Sequence, residues 1–98
     1  MRIFSRSTLI EFWTKHRDAE PALRLWFSQV ERAAWQGPAD VRATFGTADF
    51  IADNRVIFDI KGNAYRLIVH VRYAPFCLVF IRFVGTHAEY DRIDAATV

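Results

Sequence analysis

The sequence predicts an α+β domain in which N-terminal helices pack on one face of a twisted antiparallel sheet. In the first half of the chain, apolar residues recur at helical spacing, and from Ala48 onward they alternate in short runs separated by turn residues. The chain has 98 residues, of which 52% are hydrophobic and 15% are aromatic, enough for one hydrophobic core. We therefore expect a single domain over residues 1–98.

A short strand and a short helix are predicted at the start of the chain. Arg2–Phe4 is compatible with a first strand. Thr8 and Glu11 have the spacing of a capping box, in which each side chain bonds the backbone of the other residue. This pattern predicts a helix from Thr8 to about His16.

A second, longer helix is predicted next. Asp18 can cap it, and Pro21 fits its first turn, where a missing N–H costs little. Apolar residues at helical spacing define its buried stripe: Leu23, Trp26, Phe27, Val30 and Ala34. The helix is expected to end near Trp35, and Pro38–Ala43 to add one more helical turn. The tryptophans of this region are expected in the core.

Four strand-like runs follow the helices: Asp49–Ala52, Arg55–Ile60, Ala64–Tyr73 and Phe76–Val84. Alternation in the third run predicts a face under the helices, made of Tyr65, Leu67, Val69, Val71 and Tyr73, and a solvent face, made of Arg66, Ile68, His70 and Arg72. The fourth run is apolar at both alternating sets of positions except Arg82. It is therefore predicted to be a central strand buried on both faces over much of its length.

Positive charge is concentrated in the second half of the chain. The whole sequence has 13 Lys and Arg against 11 Asp and Glu, a net charge of +2. Between Arg55 and Arg82, however, five cations face one acid, Asp59. A local basic excess suits an anionic partner such as nucleic acid, although a solvated strand face gives the same pattern.

The composition argues against several classes of protein. Cys77 is the only cysteine, so an intrachain disulfide is impossible and a reduced, buried thiol is expected. No segment is apolar over the length that spans a bilayer, which predicts a cytoplasmic protein without membrane association. Paired cysteines, paired histidines at metal-ligand spacing and a glycine-rich phosphate loop are all missing, so no metal and no other cofactor is expected.

The last predicted strand carries an arginine that needs a partner. Arg82 lies near the end of a run predicted to be buried, and an unpaired buried charge is costly. It must therefore reach water, a carboxylate of Asp59, Glu89 or Asp91, or an anionic ligand. An ion pair with one of these acids is the purely structural alternative.

Polar side chains gather directly after that strand. In a helical turn over Thr86–Ile93, His87, Tyr90 and Asp91 would share one face. An imidazole can transfer protons near neutral pH, a carboxylate can orient it, and a phenol can form a hydrogen bond or stack on a base. Asp91 could orient His87 or pair with the arginine of the strand. His70, in contrast, has no acid partner nearby in the sequence and is not a catalytic candidate.

Three segments of the chain have a recognisable combination of motifs. They read F-D-I-K-G-N-A-Y-R-L-I-V at Phe58–Val69, F-I-R-F-V-G-T-H-A-E-Y-D-R-I-D at Phe80–Asp94, and W-Q-G-P-A-D at Trp35–Asp40. Together they closely resemble the HigB family of toxins from bacterial type II toxin-antitoxin systems. The similarity spans almost the whole chain, and the order K-G-N, Y-R, F-I-R, T-H-x-E-Y-D is far more specific than any one piece.

The resemblance implies a RelE-like fold with a concave basic surface that receives RNA. It also implies an endoribonuclease that cuts mRNA, usually during translation on the ribosome. Its inhibitor would be a HigA-like antitoxin with a helix-turn-helix domain, and toxin and antitoxin together would bind and repress their own operator DNA.

Residues can be assigned to the chemistry that the resemblance implies. Metal-free RNA cleavage needs a base for the 2′-OH, cations for the charge that develops on the phosphate, and an acid for the leaving 5′-oxygen. We assign Arg66 and Arg82 to the phosphate, and His87 to acid or base catalysis. Asp91 would orient the imidazole, and Tyr90 would stack on the base or bond the ribose. Which group is the base stays open.

Three further residues are expected to contact RNA, namely Lys61, Arg72 and His70.

The same basic face would also serve a non-catalytic module that binds RNA or the ribosome and inhibits translation by occupancy. A third alternative is an interaction domain in which an ion pair between Arg82 and Asp91 ties down the C-terminal segment. Apolar side chains that could contact an antitoxin, or could equally belong to the core, are Ile3, Phe45 and Phe50.

Overall fold

The computed structural model describes residues 1–98, which form five strands and four α-helices. The strands are β1 (Arg2–Phe4), β2 (Asp49–Ile51), β3 (Arg55–Ile60), β4 (Tyr65–Arg72) and β5 (Leu78–Thr86). The helices are α1 (Arg6–Lys15), α2 (Glu20–Arg32), α3 (Pro38–Thr44) and α4 (His87–Tyr90), and a 3₁₀ turn, Arg17–Ala19, joins α1 to α2. The predicted α+β class is confirmed.

The strands form one sheet in the order β1-β5-β4-β3-β2. Strands β2 to β5 form the predicted antiparallel meander, whereas β1 runs parallel to β5, so the sheet is mixed rather than wholly antiparallel. A hairpin forces neighbouring strands to be antiparallel, but β1 and β5 are separated by most of the chain and carry no such constraint. Three residues of β1 are too few for their pattern to indicate a direction.

The main hydrophobic core lies between the helices and one face of the sheet, which we call the inner face. Leu23, Trp26 and Val30 of the predicted α2 stripe are buried in it. The rings of Trp26 and Trp35 lie 5.5 Å and 6.4 Å from the ring of Phe58 on β3, measured between centroids. The core positions expected for these tryptophans are confirmed.

Apolar residues that were ambiguous in the sequence pack on this core. Ile3, Phe45 and Phe50 are partly buried and contact core side chains, so packing accounts for them. Cys77 carries a free thiol, as expected, but it is only partly buried, and its Sγ lies 3.4 Å from Sδ of Met1. Burial raises the pKa of the Cys77 thiol.

The first helix begins earlier than its expected cap. α1 starts at Arg6, and the hydroxyl of Ser5 bonds the hydroxyl of Ser7 but caps no backbone N–H of the helix. Thr8 and Glu11 therefore lie inside α1, and the predicted capping box is wrong. The backbone N–H of Thr8 bonds the Ser5 carbonyl, so a backbone hydrogen bond closes the first turn in place of a side-chain cap.

The second helix also differs from its prediction at both ends. Asp18 does not cap α2, because it lies in the 3₁₀ turn and its carboxylate accepts hydrogen bonds from Lys61 and Tyr65. At the other end, α2 stops at Arg32, since the next residue is extended. Ala34 is consequently exposed rather than part of the buried stripe.

β5 lies two residues later than predicted, at Leu78–Thr86 instead of Phe76–Val84. It continues through Gly85 to Thr86 because Tyr65 of β4 pairs with Thr86. A Cβ on Gly85 would lie only 2.4 Å from the Phe83 ring, so a glycine is required at this crowded position.

A β-bulge changes the position of the one arginine in β5. Ile68 of β4 pairs with Phe83, whereas Val69 pairs with Ile81, so Arg82 is the extra residue of the bulge. Arg82 is exposed. β5 lies inside the sheet between β1 and β4, as predicted, but most of its residues are only partly buried, and the charge of Arg82 reaches water.

The opposite face of the sheet, which we call the outer face, carries the functional candidates. Strand register arranges its side chains in four rows: Asp59, Arg66 and Gly85; Ile57, Ile68 and Phe83; Arg55, His70, Phe80 and Phe4; and Arg72, Leu78 and Arg2. The predicted solvent face of β4 holds except at Ile68, which is buried. The C-terminal segment runs from α4 to Arg55, whose Nη1 donates to backbone oxygens of Ala95 and Val98.

Candidate functional site

A cluster of polar side chains lies at the end of the outer face where β5 meets α4. It consists of Asp59, Arg66, His87, Tyr90 and Asp91, and we call it the Arg66 cluster. Three structural elements supply it, since β3 and β4 carry the first two residues and the α4 region carries the others.

α4 is short, and a capping box holds its start. The Thr86 hydroxyl accepts a hydrogen bond from the Glu89 N–H at 3.2 Å, and the Glu89 carboxylate accepts one from the Thr86 N–H at 2.8 Å. The hydrogen bond from the Thr86 backbone also lowers the pKa of Glu89. These bonds satisfy N–H groups that a helix start leaves unpaired, which allows a helix of four residues to form directly after a strand.

α4 brings together the three residues that sequence spacing placed on one face. Nδ1 of His87 lies 3.8 Å from Oδ2 of Asp91, within range of an ion pair but too far for a hydrogen bond. The rings of His87 and Tyr90 are 6.2 Å apart between centroids. Asp91 therefore faces His87, which answers the question of its partner.

Arg66 is the centre of the cluster because three groups contact its guanidinium. Asp59 is its neighbour in the strand register, and Oδ1 of Asp59 lies 2.9 Å from Nε of Arg66. The N–H of Nε does not point at that oxygen, so the contact is an ion pair and not a hydrogen bond. The guanidinium also lies 4.9 Å from the Tyr90 ring centroid, in a cation–π contact.

The third contact of Arg66 defines the protonation of the histidine. Nη2 of Arg66 lies 3.2 Å from Nε2 of His87. A guanidinium has no acceptor, so Nε2 must accept this hydrogen bond with its lone pair. The other ring nitrogen, Nδ1, is the one that faces Asp91.

Arg82 does not belong to the Arg66 cluster. It makes no ion pair with Asp59, Glu89 or Asp91, and no side-chain hydrogen bond. The bulge sends its side chain to the exposed surface closer to His70, whose pKa its charge lowers. The ion pair considered between Arg82 and Asp91 is absent.

Lys61 is held by a neighbour that sequence reasoning did not connect to it. Its Nζ donates to Oδ2 of Asp18 at 2.8 Å, and both side chains are about half exposed. The Tyr65 hydroxyl donates to the other oxygen of the same carboxylate. The bond from Lys61, and then that from Tyr65, lowers the pKa of Asp18, while the bond to Asp18 raises the pKa of Tyr65.

The two other expected RNA contacts lie at the far end of the outer face. His70 and Arg72 follow Arg66 on β4 by four and six residues, on the same face of the strand. At roughly 3.3 Å per residue, His70 is about 13 Å from the Arg66 position. His70 is half-buried and Arg72 is exposed.

Sequence reasoning missed two acids that position basic residues. Asp59 was considered only as a partner of Arg82, and Asp18 only as a helix cap. The strand register pairs Asp59 with Arg66 across a turn of four residues, 61–64, whereas the predicted strands leave a turn of only three, 61–63, and so would have placed Asp59 opposite Tyr65. The Asp18–Lys61 pair joins residues 43 positions apart and has no local signal.

The cluster is an open surface rather than a closed cavity. The largest groove, with a volume of about 660 Å³, lies elsewhere, between the N-terminus and Pro75–Leu78. No group of three or more His, Cys, Asp and Glu side chains converges as a metal site would require. An open polar surface suits one part of an extended polymer more than an enclosed small molecule.

None of the helices combines the length and the apolarity that crossing a membrane demands.

Comparison with known proteins identifies the family. The family model of HigB toxins, described as the RelE-like toxic component of a toxin-antitoxin system, matches residues 19–93. No protein among the curated ones matches the chain. The matched range includes every residue of the Arg66 cluster, and the α+β fold is consistent with a RelE-like toxin. The chain therefore belongs to the HigB toxin family, the RelE-like toxic component of a toxin-antitoxin system.

Proposed function

We propose that the protein is an endoribonuclease that cleaves mRNA during translation on the ribosome, without a metal ion, by attack of a ribose 2′-OH. The observation that carries this proposal is the contact of Arg66 Nη2 with His87 Nε2 at 3.2 Å. This contact places a cation, which can bind a phosphate, next to a ring nitrogen, which can accept a proton. Membership in a toxin family is the second support.

In the proposed reaction, His87 is the general base. When the phosphate binds, Nη2 of Arg66 turns from His87 to a phosphate oxygen and frees the Nε2 lone pair. Nε2 then takes the proton of the 2′-OH, and the 2′-oxygen forms a bond to phosphorus while the bond to the 5′-oxygen breaks. The products are a 2′,3′-cyclic phosphate and a strand with a free 5′-OH. Asp91 faces Nδ1 of His87 and stabilises the imidazolium that forms. Tyr90 is the remaining side chain of the cluster with a proton to donate, and we assign it to the leaving oxygen.

Arg66 has the charge and the free donors for the phosphate. Its Nη1 makes no hydrogen bond within the cluster, so its N–H groups are available to the equatorial oxygens. Charge that develops on the phosphate in the transition state is then stabilised by a cation already in place. The guanidinium covers one face of the Tyr90 ring, so a base could stack only on the other face.

Basic residues outside the cluster would bind the rest of the strand. Arg72 and His70 lie on the same sheet face as Arg66, and the exposed Arg82 is close enough for its charge to lower the pKa of His70. We assign Arg82 to RNA binding rather than to the reacting phosphate. Lys61 is paired with Asp18, but ion pairs at half-exposed positions contribute only about 0–1 kcal/mol. A phosphate can therefore recruit Lys61 at little cost.

A toxin of this kind has an antitoxin partner. We propose that this partner is a HigA-like protein with a helix-turn-helix domain, and that operator DNA is bound only by the toxin-antitoxin complex. Inhibition would follow if the antitoxin covers the Arg66 cluster or prevents access to the ribosome.

The test is to map new 5′ ends of mRNA after induction of the toxin without its antitoxin. We expect cleavage by the unchanged protein, and loss of about 10²–10⁴-fold in rate for His87→Ala, the usual contribution of a general base. The cleavage rate of Arg66→Ala should fall by a comparable factor, because the cation that binds the phosphate is removed. Arg32→Ala, an exposed arginine on α2, is the matched control and should cleave normally.

Two outcomes would count against the proposal. Normal cleavage by His87→Ala and Arg66→Ala would refute the assigned residues. Arrest of translation without new 5′ ends would favour the alternative, in which the toxin blocks translation by occupying RNA or the ribosome.

A further inference from the structure

Aromatic rings form a row at the end of the outer face opposite the Arg66 cluster. Phe4, Phe80 and His70 are partners in the strand register across β1, β5 and β4. The rings of Phe4 and Phe80 stack with their centroids 5.5 Å apart and their planes at 19°, and the rings of Phe80 and His70 are 6.2 Å apart. Phe4 keeps 38% of its surface exposed. We call these three residues the aromatic row.

Arginines surround the aromatic row. The Arg2 guanidinium lies 5.3 Å from the centroid of the Phe4 ring. Arg72 and Arg82 are exposed, and neither makes an ion pair. Arg55 ends the row on the β3 side, where backbone oxygens of the C-terminal segment bond it. Cations without acidic partners, beside one exposed and two partly exposed aromatic rings, suit an anionic ligand that also has flat apolar surfaces.

The state of His70 is compatible with such a ligand. Its Nδ1 is buried and has no hydrogen-bond partner. Burial lowers the pKa of His70, and the charges of Arg82 and Arg55 lower it further, while Asp53 acts in the opposite direction. The imidazole is therefore neutral at pH 7 and presents an aromatic ring rather than another charge.

We propose that the aromatic row is a stacking platform for unpaired bases of single-stranded RNA, and that Arg72 and Arg82 contact the phosphates of the same strand. Combinations of aromatic side chains and cations bind single strands in this way, because every base has a face that can stack. The proposal rests on the proposed function, since its occupant is the RNA that adjoins the cleaved bond.

The position of the platform supports this occupant. His70 and Arg66 lie on the same face of β4, four residues apart, which corresponds to roughly 13 Å. On the β3 side of the outer face, the C-terminal segment contacts Arg55. On β5, the exposed Arg82 lies between Phe80, in the aromatic row, and Gly85, next to Arg66. An RNA strand could thus run along β5 from the reacting phosphate to the platform.

The test measures the affinity of the purified protein for a fluorescently labelled 2′-O-methyl decanucleotide, which has no free 2′-OH and is not cleaved. Phe4→Leu and Phe80→Leu keep apolar volume but remove the ring, and each should weaken binding by about tenfold. Arg82→Gln should weaken it and reduce the slope of log Kd against log salt by about one. When the same decanucleotide is annealed into a duplex, the affinity of the protein for it should not change in the two Phe variants, because the bases of a duplex are already stacked on one another.

A matched control is available on the helical side of the molecule. Phe27 of α2 also lies under an arginine, with the Arg6 guanidinium 5.2 Å from its ring centroid. Phe27→Leu should bind RNA like the unchanged protein. Thermal melting of each variant identifies any loss of affinity that comes from unfolding, and Arg82→Gln tests the platform at an exposed position where folding is not at risk.

Three results would overturn the platform: no binding of the single strand by the unchanged protein at low salt, unchanged affinity in both Phe variants, or equal weakening by Phe27→Leu. The failure of the proposed function gives a different result. If mRNA acquires no new 5′ ends but binding of the decanucleotide depends on Phe4 and Phe80, the platform holds and the nuclease does not. If cleavage occurs and both Phe variants bind normally, only the platform fails.

Discussion

At the scale of single residues, Arg66 is the side chain on which the candidate site depends. Its guanidinium contacts a carboxylate, an aromatic ring and an imidazole, and its side chain is only 19% exposed. A long, flexible side chain is useful in catalysis only when its position is fixed before the reaction. Asp59, on the neighbouring strand, supplies the carboxylate and has no other ion-pair partner in the protein.

We therefore predict that Asp59→Asn slows cleavage by up to about 100-fold, the cost of a displacement of about 1 Å at a reacting centre. Binding of uncleavable RNA should hardly change, because Arg66 keeps its charge. The measurement is the cleavage rate at saturating RNA together with the dissociation constant.

Asp49→Asn is the control for this prediction, because Asp49 is an exposed acid on the neighbouring β2 without an ion-pair partner. It should cleave like the unchanged protein. If Asp59→Asn binds RNA more tightly but cleaves it at an unchanged rate, Asp59 only offsets the charge of Arg66 and does not position it.

At the scale of structural elements, α4 is the shortest α-helix and carries the most chemistry. Four residues cannot form a stable helix by themselves, so the capping box and the contacts with β4 and β5 must hold it. Gly85 is part of this arrangement, since a Cβ there would lie 3.2 Å from Cβ of Glu89 as well as against Phe83. The local sequence T-H-A-E therefore encodes the position of His87.

We predict that Thr86→Ala loses about 1 kcal/mol of local stability, the usual value of a helix cap. Cleavage should fall because α4 frays and His87 leaves Arg66, while the melting temperature of the protein changes little. Thr86→Ser keeps the hydroxyl and should restore the rate. A rate for Thr86→Ala equal to that of the unchanged protein would show that the cap does not hold the site.

At the scale of the whole molecule, the Asp18 carboxylate joins distant parts of the chain. It bonds Lys61 in the turn between β3 and β4 and Tyr65 at the start of β4, 43 and 47 residues away. These bonds hold the 3₁₀ turn before α2 against the end of the sheet, next to the Arg66 cluster. Because they lower the pKa of Asp18, they make stability depend on pH.

The sign of this dependence follows from the direction of the shift. A lowered carboxyl pKa contributes stability that is fully present above its ordinary value of 3.8 and is lost as the pH falls through the lower value in the folded protein. Asp18→Asn should therefore unfold more easily than the unchanged protein at pH 6, and the difference should vanish in more acidic solution. Urea unfolding at a series of pH values measures it, and a difference that does not shrink as the pH falls below 3.8 would contradict the prediction.

The sequence by itself determined the fold class, the inner face of the sheet and the local geometry around His87. These features depend on spacing within a few residues: the bounds of β3 at Arg55–Ile60 match the prediction, and the turn after β5 places His87, Tyr90 and Asp91 together. The family resemblance was likewise contained in local motifs and agrees with the matched family.

Only the tertiary structure decided which charges meet. Arg82 appeared to need a carboxylate because alternation cannot reveal an extra residue in a bulge, and the bulge exposes it to water. Asp59 meets Arg66 through strand register, and Asp18 meets Lys61 through packing of the N-terminal turn on the sheet. Coulomb interactions depend on distance in space, whereas sequence patterns report distance along the chain, so these pairs become visible only when the chain is folded.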